Sequence, residues 1–581
     1  MIKSLWSYLS RKRQIQFWML LLLILITALA EMVSIGAILP FLGVLTAPEQ
    51  IYQYQLAQPL IIFLELKGPG ELILPITLVF ILAVLLSNII RLMLLYSMTM
   101  LSNSAGADIS VNIYRKTLYQ DYLVHSTRNS SEIINGITAK TNTAVSVITS
   151  LLVLISSVIM FLGIVILLFQ INAQVAMAAI TGFGLIYLII ILLSRKTLKK
   201  NSECIAQESS KRIKTLQEGL GGIRDILLDG SQDLYTNMFK KSDLAFRRAS
   251  AQNVFISSAP RYMVEAIGMI LIAGLAYVMT LQQDSVATVI PVLGVFALGA
   301  QKLLPALQQA YSSYSSIKGS VKSFQDILDL LDQPLPEYIE RPVGEVMEFR
   351  HSIKLVNIGF RYSDDTPWVF ENINLELGKN KSYGFIGFTG SGKSTLLDII
   401  MGLIEPTKGV MIIDSVKISK ENKRNWQEKI AHVPQNIFLS DGTIEENIAF
   451  GIPKKDIDIQ RVKKSAKQAQ LEDTINKLKD GYQTFVGERG MRLSGGQKQR
   501  IGIARALYKK ANVLVFDEAT SALDSTTERE IIREIEMLNK GVTVLIIAHR
   551  LTTLKGCDQI VKLEKNKVSV GSYQKIIDKN T

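Results

Sequence analysis

Residues Gly387 to Thr395 run Gly-Phe-Thr-Gly-Ser-Gly-Lys-Ser-Thr, a spacing that fits the G-x-x-x-x-G-K-[ST] phosphate-binding loop. Gly387, Gly390 and Gly392 open backbone conformations that a Cβ would forbid, so successive N–H groups can turn toward phosphate oxygens. Lys393 reaches the β- and γ-phosphates, the Ser394 hydroxyl ligates Mg²⁺, and Thr389, Ser391 and Thr395 complete the wall of the nucleotide site. The apolar run Tyr383–Ile386 predicts a strand before the loop. Thr395–Leu403 predicts a helix after it, with its N-terminus toward the anion.

Further chemistry lies downstream. Asn512–Phe516 predicts an apolar strand ending in Asp517 and Glu518, a carboxylate pair that is costly unless it faces a cation. Asp517 is placed to meet the Mg²⁺, and Glu518 to polarise the water that attacks a γ-phosphate. His549 follows the apolar strand Val542–Ala548 and would touch that phosphate, although a strand-end histidine alone is more often structural. Leu493-Ser494-Gly495-Gly496-Gln497 opens a helix reaching about Tyr508, a second N-terminus suited to an anion. Two phosphate-binding helix ends and one Lys-bearing loop per chain predict a head-to-tail dimer. In it, each nucleotide lies between the loop of one copy and Ser494–Gln497 of the other.

The elements that must position these groups follow from composition. A chain of 581 residues is too long for one core. Lys+Arg 64 against Asp+Glu 51 gives a net +13, which suits nucleic acid or an anionic membrane surface; the long apolar runs of the N-terminal half favour the membrane. Two cysteines and four scattered histidines predict neither a disulfide framework nor a zinc site. The first apolar run is too long for a signal-peptide core, so no cleavable leader is expected.

Apolar stretches near residues 17–45, 72–100, 145–169, 173–194, 257–281 and 286–310 are each long enough to cross a hydrocarbon layer of about 30 Å. Lys and Arg gather at the N-terminus, after the second stretch (Arg115, Lys116, Arg128, Lys140) and after the fourth (Arg195, Lys196, Lys199, Lys200), which places both termini in the cytoplasm. Residues 101–144 and 195–256 read as helices projecting below the membrane. Pro334, Pro336 and Pro342 mark a linker, and short strands alternate with helices after it. The expected architecture is an α-helical six-span membrane domain (1–330), a linker (331–350) and an α/β P-loop ATPase domain (351–581).

Phosphate loop, Gln435 after Val433-Pro434, Leu-Ser-Gly-Gly-Gln, Val-Leu-Val-Phe-Asp-Glu, Ser521-Ala522-Leu523-Asp524 and His549 stand in the order of an ABC transporter ATPase. The whole chain, spans first and ATPase second, resembles a bacterial half-size ABC exporter. That resemblance implies ATP and Mg²⁺ as cofactors, a homodimer, no nucleic-acid partner and a place in the bacterial inner membrane. It implies that Tyr362 stacks on adenine, that Gln435 couples the γ-phosphate and its Mg²⁺ to the membrane domain, and that Asp524 crosses the dimer interface. Gly487–Gly490 resembles the loop that touches the cytoplasmic helices, and Asp121–Ser126 and Gly222–Asp229 resemble the tips that dock on the ATPase.

The cargo is read from charges within the spans. Arg91, Arg261, Glu265 and Lys302 interrupt apolar stretches, where charges are costly and face a cavity or a partner. One reading is an Arg261–Glu265 pair at i, i+4 with Lys302 reaching toward the interface. The other is a basic cavity for an anionic head group. Ile38-Leu39-Pro40-Phe41, Pro260-Arg261-Tyr262-Met263-Val264-Glu265 and Lys302-Leu303-Leu304-Pro305 resemble the bacterial lipid-linked oligosaccharide flippases of protein N-glycosylation. In that family, basic residues at the positions of Arg91, Arg261 and Lys302 meet the pyrophosphate, and an external helix, here Ile51–Leu66, follows the first span. Lys302 departs by offering a point charge in place of a bidentate Arg. An exporter of peptides, drugs or other lipids shares every ATPase motif. Fusion in exporter order disfavours an importer, and the apolar stretches oppose a soluble ATPase acting on nucleic acid.

Overall fold

The computed structural model describes residues 2–46, 48–53, 58–63, 65–171, 173–281, 286–336, 339, 347–519, 525–538, 541–548, 551–564 and 567–577. Contacts divide it into two compact units, Met1–Tyr119 with Arg128–Pro334, and Gln120–Thr127 with Leu335–Thr581.

The first unit is helical: α1 (Ile2–Tyr8), α2 (Arg11–Gly36), α3 (Ile38–Thr46), α4 (Pro48–Tyr52), α5 (Gln58–Phe63) and α6 (Ile73–Leu118) precede the return at 120–127. With that return counted as α7 (Tyr122–Thr127), there follow α8 (Ser130–Asn135), α9 (Thr141–Ile171), α10 (Ala173–Gly221), α11 (Ile223–Asp229), α12 (Gln232–Leu281) and α13 (Val286–Leu331). Ser10 starts α2 as its N-cap, its side chain accepting from the Arg13 N–H. On α2 the buried positions Phe17, Leu20, Ile24, Thr27, Ala28, Glu31, Ser34 and Ile35 form one stripe at helical steps. Where α6 meets α9, a Cβ on Gly106 would lie 2.1 Å from Val145, so only glycine permits that approach.

α6, α10, α12 and α13 have 46, 49, 50 and 46 residues, about 70–75 Å at 1.5 Å per residue and more than twice a ~30 Å hydrocarbon layer. Apolar stretch and polar extension are therefore one continuous helix in each. Three described stretches, Arg11–Thr46, Pro69–Leu118 and Ser130–Leu167, are long and apolar enough to cross a membrane. The stretches expected at 173–194, 257–281 and 286–310 fall on α10, α12 and α13 and run over side chains outside the described set. The expected external helix at Ile51–Leu66 is met by the end of α4 and by α5, with residues 54–57 and 64 outside the described residues.

The second unit holds two sheets. One has strand order β2-β1-β4-β5, from β1 (Ser352–Phe360), β2 (Phe370–Gly378), β4 (Lys408–Ile413) and β5 (Val416–Lys417), all antiparallel. The other runs β10-β9-β3-β8-β7-β6, from β3 (Ser382–Ile386), β6 (Ile430–Val433), β7 (Val513–Asp517), β8 (Thr543–Ile547), β9 (Gln559–Glu564) and β10 (Lys567–Gly571). Its strands β9, β3, β8, β7 and β6 are parallel, and β10 is antiparallel at the edge. Both β3 and β8 are buried at every position, as expected of parallel strands covered on both faces.

The segment expected as linker already enters the second core. Phe349 is buried with its ring 5.6 Å from that of Trp426, and the N–H groups of Arg350, His351 and Ser352 all donate to the Asp414 carboxylate. Those three bonds hold Asp414 below the usual carboxylate range against the opposing effect of burial, which is the larger single influence upward. α7 joins the same unit: Asp121 pairs with Lys423 at 2.7 Å and Leu123 packs on the core.

Candidate functional site

Parallel strands bring their C-terminal ends to one edge of a sheet, where ligands of such folds bind. Here the register aligns Val433 with Phe516, Asp517 with Ile547, and Phe385 with Ile547. The phosphate loop after β3, Gln435 after β6 and Asp517-Glu518 at the end of β7 thereby share one edge. His549, two residues past the end of β8 in the sequence, lies outside the described residues, as does Asp524.

The loop is shaped by its glycines. Gly392 has φ +90°, and a Cβ there would sit 2.8 Å from Phe370 and Val369; a Cβ on Gly387 would meet the Leu563 carbonyl at 2.5 Å. Helix α14 (Lys393–Ile400) starts at Gly392 without a side-chain cap, so its first-turn N–H groups suit an anion. Lys393 Nζ folds back on the loop, donating to the carbonyls of Gly387 at 2.9 Å and Phe388 at 3.0 Å. The buried Ser391 Oγ has no hydrogen-bond partner among the described residues. An orphaned hydroxyl and an ammonium donating to backbone carbonyls are what a phosphate would complete. Thr389, Gly390 and Ser394 are exposed on the loop, and Thr395 is buried beneath it. The Tyr362 Oη and Thr395 Oγ1 share a 3.0 Å hydrogen bond, leaving the tyrosine half-exposed beside α14.

Glu518 carries the strain of the site. Its φ of +52° is left-handed, rare for a side chain with a Cβ, and its N–H is held by the Ile547 carbonyl at 3.0 Å. The Gln435 Nε2 donates to Glu518 Oε2 at 2.6 Å. Next to it, burial first and the Asp517 charge second push the Asp398 carboxyl up to about 6. Burial pushes the His432 imidazole down although Asp517 pulls it up, and His432 Nε2 is buried without a partner among the described residues. Asp517 is thus a negative charge in a crowded setting that a cation would relieve. The oxygens of Ser394, Asp517 and Gln435 are hard donors of the kind Mg²⁺ takes together with waters and phosphates. Among the described residues no group of three or more His, Cys, Asp or Glu is arranged for a metal, which such a shared shell does not require.

The Ser494–Gln497 segment is self-capped. Ser494 Oγ accepts from the Gln497 N–H at 3.3 Å and Gln497 Oε1 accepts from the Ser494 N–H at 2.8 Å, so both side chains are engaged at the start of the helix Gly495–Tyr508. Ser494 and Gly495 stay exposed, and Gly496 is half-buried.

Sequence reasoning missed a groove of about 740 Å³ in the second unit, lined among others by Arg424, His432, Phe450, Arg461, Arg505 and Lys509. Burial pulls Arg505 down to about 10 and lowers Lys509 as well, helped by Arg424. Arg505 donates to the Asn447 carbonyl at 2.9 Å and lies 4.5 Å over the Phe450 ring. No single motif carries this basic lining; strand, helix and loop each contribute part.

In the first unit two of the expected cavity cations, Arg91 and Arg261, face carboxylates. Arg91 Nη1 lies 3.6 Å from Glu31 Oε1, and Arg261 Nε donates to Glu265 Oε1 at 2.7 Å. Lys302 is on α13 with its side chain outside the described set. Arg261 and Glu265 line a pocket of about 180 Å³ with Tyr187, Gln308 and Gln309. There Tyr187 Oη donates to Gln308 Oε1 at 3.2 Å and Gln308 Nε2 donates to the Ser257 carbonyl at 2.9 Å. Glu31 was also missed, though a carboxylate inside an apolar run is a signal in itself.

Residues 16–346 match the family model of the ABC transporter transmembrane region, and residues 370–521 that of the ABC transporter. An ATP-dependent lipid A-core flippase of Cupriavidus metallidurans is 27% identical over 489 residues, covering 84% of this chain and 82% of that protein. The heterocyst differentiation ATP-binding protein HepA of a Nostoc species is 28% identical over 563 residues, covering 94% of this chain and 89% of its own. A solved structure of a bacterial Atm1-family ABC exporter with ATP bound shares the fold at a TM-score of 0.77 and 21% identity, covering 98% of this chain and 96% of that one.

Proposed function

The chain belongs to the ABC transporter family, with an exporter transmembrane region and an ATPase in one half-size polypeptide, and from that premise we propose a homodimeric flippase that moves an anionic lipid or lipid-linked oligosaccharide from the cytoplasmic to the outer leaflet of a bacterial inner membrane. Six spans and cytoplasmic termini belong to this reading, as does a linker between domains at 1–330 and 351–581. The observation that carries the cargo class is the placing of arginines inside the apolar helices, Arg91 on α6 and Arg261 on α12. Relatives named lipid A-core flippases support lipid as the cargo.

The chemistry follows from the strand-end residues. Lys393 turns from the loop carbonyls to the β- and γ-phosphates, and Tyr362 lies against the adenine. Ser394, Asp517 and Gln435 would hold a Mg²⁺, which would supply neutralisation of phosphate charge when bound. Glu518 takes a proton from the attacking water as its oxygen bonds the γ-phosphorus and the bridging oxygen leaves with ADP. His549 holds the γ-phosphate. Ser494, Gly495, Gly496 and Gln497 of a second copy close over the nucleotide, with Asp524 at the interface. Gly222–Asp229 serves as a tip that docks on the ATPase, and α11 within it carries Asp225, Asp229 and exposed Leu227 and Leu228. Closure of the ATPases then turns the membrane cavity outward, and hydrolysis resets it.

The test is translocation in proteoliposomes of a polyprenyl-pyrophosphate oligosaccharide and of phosphatidylglycerol, with ATP. Movement that is lost in Glu518→Gln and weakened when Arg91, Arg261 and Lys302 are neutralised supports the proposal. ATP turnover without movement of either lipid discards the cargo and leaves an exporter of peptides or drugs.

A further inference from the structure

Thr27, Glu31 and Ser34 recur at helical steps on the buried stripe of α2, between Ile24 and Ile35. Glu31 is 1% exposed, in a segment of mean hydropathy 2.4. A charge so placed is costly unless a counter-charge is built in with it. Arg91 of α6 supplies one at 3.6 Å, yet its own side chain stays 43% exposed. That distance is beyond a hydrogen bond, so this is attraction between charges and not the bidentate fork that arginine and carboxylate can form. Ser87, one turn before Arg91, is buried as well, and its hydroxyl has no hydrogen-bond partner among the described residues. The carboxylate is fixed by helix packing, whereas the guanidinium is loosely held and half outside. Such a pair can exchange partners without moving a helix.

We propose that Glu31 is the internal counter-ion of the transport cavity: it holds Arg91 when no cargo is bound and yields it to the phosphate of a lipid head group. This rests on the reading that Arg91 meets an anionic head group, and adds what selects it. Glu31 is a positioning residue that acts through Arg91. A head group with net negative charge competes for the guanidinium, whereas a zwitterion brings its own cation and gains little. When the head group leaves, Glu31 recaptures Arg91, so the empty cavity is never a bare cation in hydrocarbon. The Arg261–Glu265 pair differs. It spans one turn of a single helix at 2.7 Å with both side chains substantially exposed, and it satisfies itself.

The experiment titrates ATPase stimulation of the full-length protein in phosphatidylcholine nanodiscs with phosphatidylglycerol in one arm and polyprenyl pyrophosphate in the other. Wild type is compared with Glu31→Gln, Glu31→Asp, Arg91→Gln and the double Gln variant. Removing the carboxylate charge should lower the half-stimulating lipid fraction on the order of threefold to tenfold, the worth of one ion pair. Retracting it in Glu31→Asp should give a smaller shift in the same direction, which keeps the proposal testable if Glu31→Gln does not fold. The gain should vanish in the Arg91→Gln background, an outcome that a purely structural role for Glu31 does not produce. A gain in one arm only supports the proposal and names the source of the phosphate. Midpoints unchanged by Glu31→Gln and Glu31→Asp, but weakened by Arg91→Gln, overturn the counter-ion and leave the head-group reading standing. Midpoints unchanged by Arg91→Gln overturn both.

Discussion

Two glutamates, one in each unit, occupy costly positions in different ways. Glu518 sits at a left-handed φ of +52°, its N–H fixed to Ile547 and its carboxylate on Gln435 at 2.6 Å. Glu31 sits in regular helix, buried to 1%, facing a half-exposed Arg91 across 3.6 Å. The first spends backbone strain on fixing one oxygen; the second spends desolvation on a contact that can be exchanged. A water attack on phosphorus needs an oxygen placed within a fraction of an ångström. Passage of a head group needs a contact that forms and breaks at every cycle. The two units divide positional accuracy and exchangeability between them.

The largest expected effect tests the accurate side. Glu518→Gln keeps the shape and the hydrogen bond to Gln435 but cannot accept the proton, so ATP turnover should fall on the order of 10²–10⁴-fold. Nucleotide affinity should stay within a few-fold, with the ATP-bound dimer accumulating in size-exclusion chromatography. Undiminished turnover would break the comparison at its stronger end. Next is Gly392→Ala. With φ +90° and a new Cβ 2.8 Å from Phe370 and Val369, the loop must distort, so ATP affinity measured by fluorescent-nucleotide binding should fall about tenfold or more.

The same contrast decides what the sequence could tell. The strand-end site was legible because parallel strands deliver their chemistry as contiguous words: the Lys393 loop, Asp517-Glu518, Gln435 two residues past β6. Even there the strained φ of Glu518 and the Gln435 contact are invisible in one dimension, since the partners are 83 residues apart. Arg91 was legible as a charge in an apolar run, but its partner on another helix was not. The Arg261–Glu265 pair was legible, because i, i+4 geometry is local. The basic groove was not, because its arginines come from separated segments that only the tertiary fold collects. The start of the second core at Phe349 was hidden by the proline-rich stretch before it, which reads as linker until the ring is seen against Trp426.

A smaller effect concerns α7, whose contacts lie in the second unit. Lys423 is 12% exposed between Asp121 at 2.7 Å and Glu405 at 3.5 Å. Lys423→Ala removes the charge contact but leaves Leu123 on the core. A pair of this exposure is worth about 1 kcal/mol or less. Amide exchange in residues 120–127 should therefore quicken by a few-fold, with ATP turnover reduced by less than about threefold. An exchange rate unchanged from wild type would show that apolar packing alone holds the segment.

A last effect, read as a dependence on pH, tests the electrostatics beneath the accurate site. Burial, and then the Asp517 charge, raise the Asp398 carboxyl to about 6, from about 3.9 in an unfolded chain. Between those values the folded state binds the proton more tightly, so this group's contribution to stability is full below about pH 4 and is lost as pH rises through about 6. An amide in its place does not titrate and carries no such dependence. Asp398→Asn should therefore be stabilised over wild type by roughly 1–2 kcal/mol at pH 7.5 and by much less at pH 4.5, with thermal unfolding of the nucleotide-free protein as the measurement. Adding Mg²⁺ and ATP should shrink that difference, because a cation at Asp517 favours the ionised Asp398. A difference that persists undiminished would mean that Asp398 answers to burial alone, and that no cation relieves the crowding of negative charge beside Glu518.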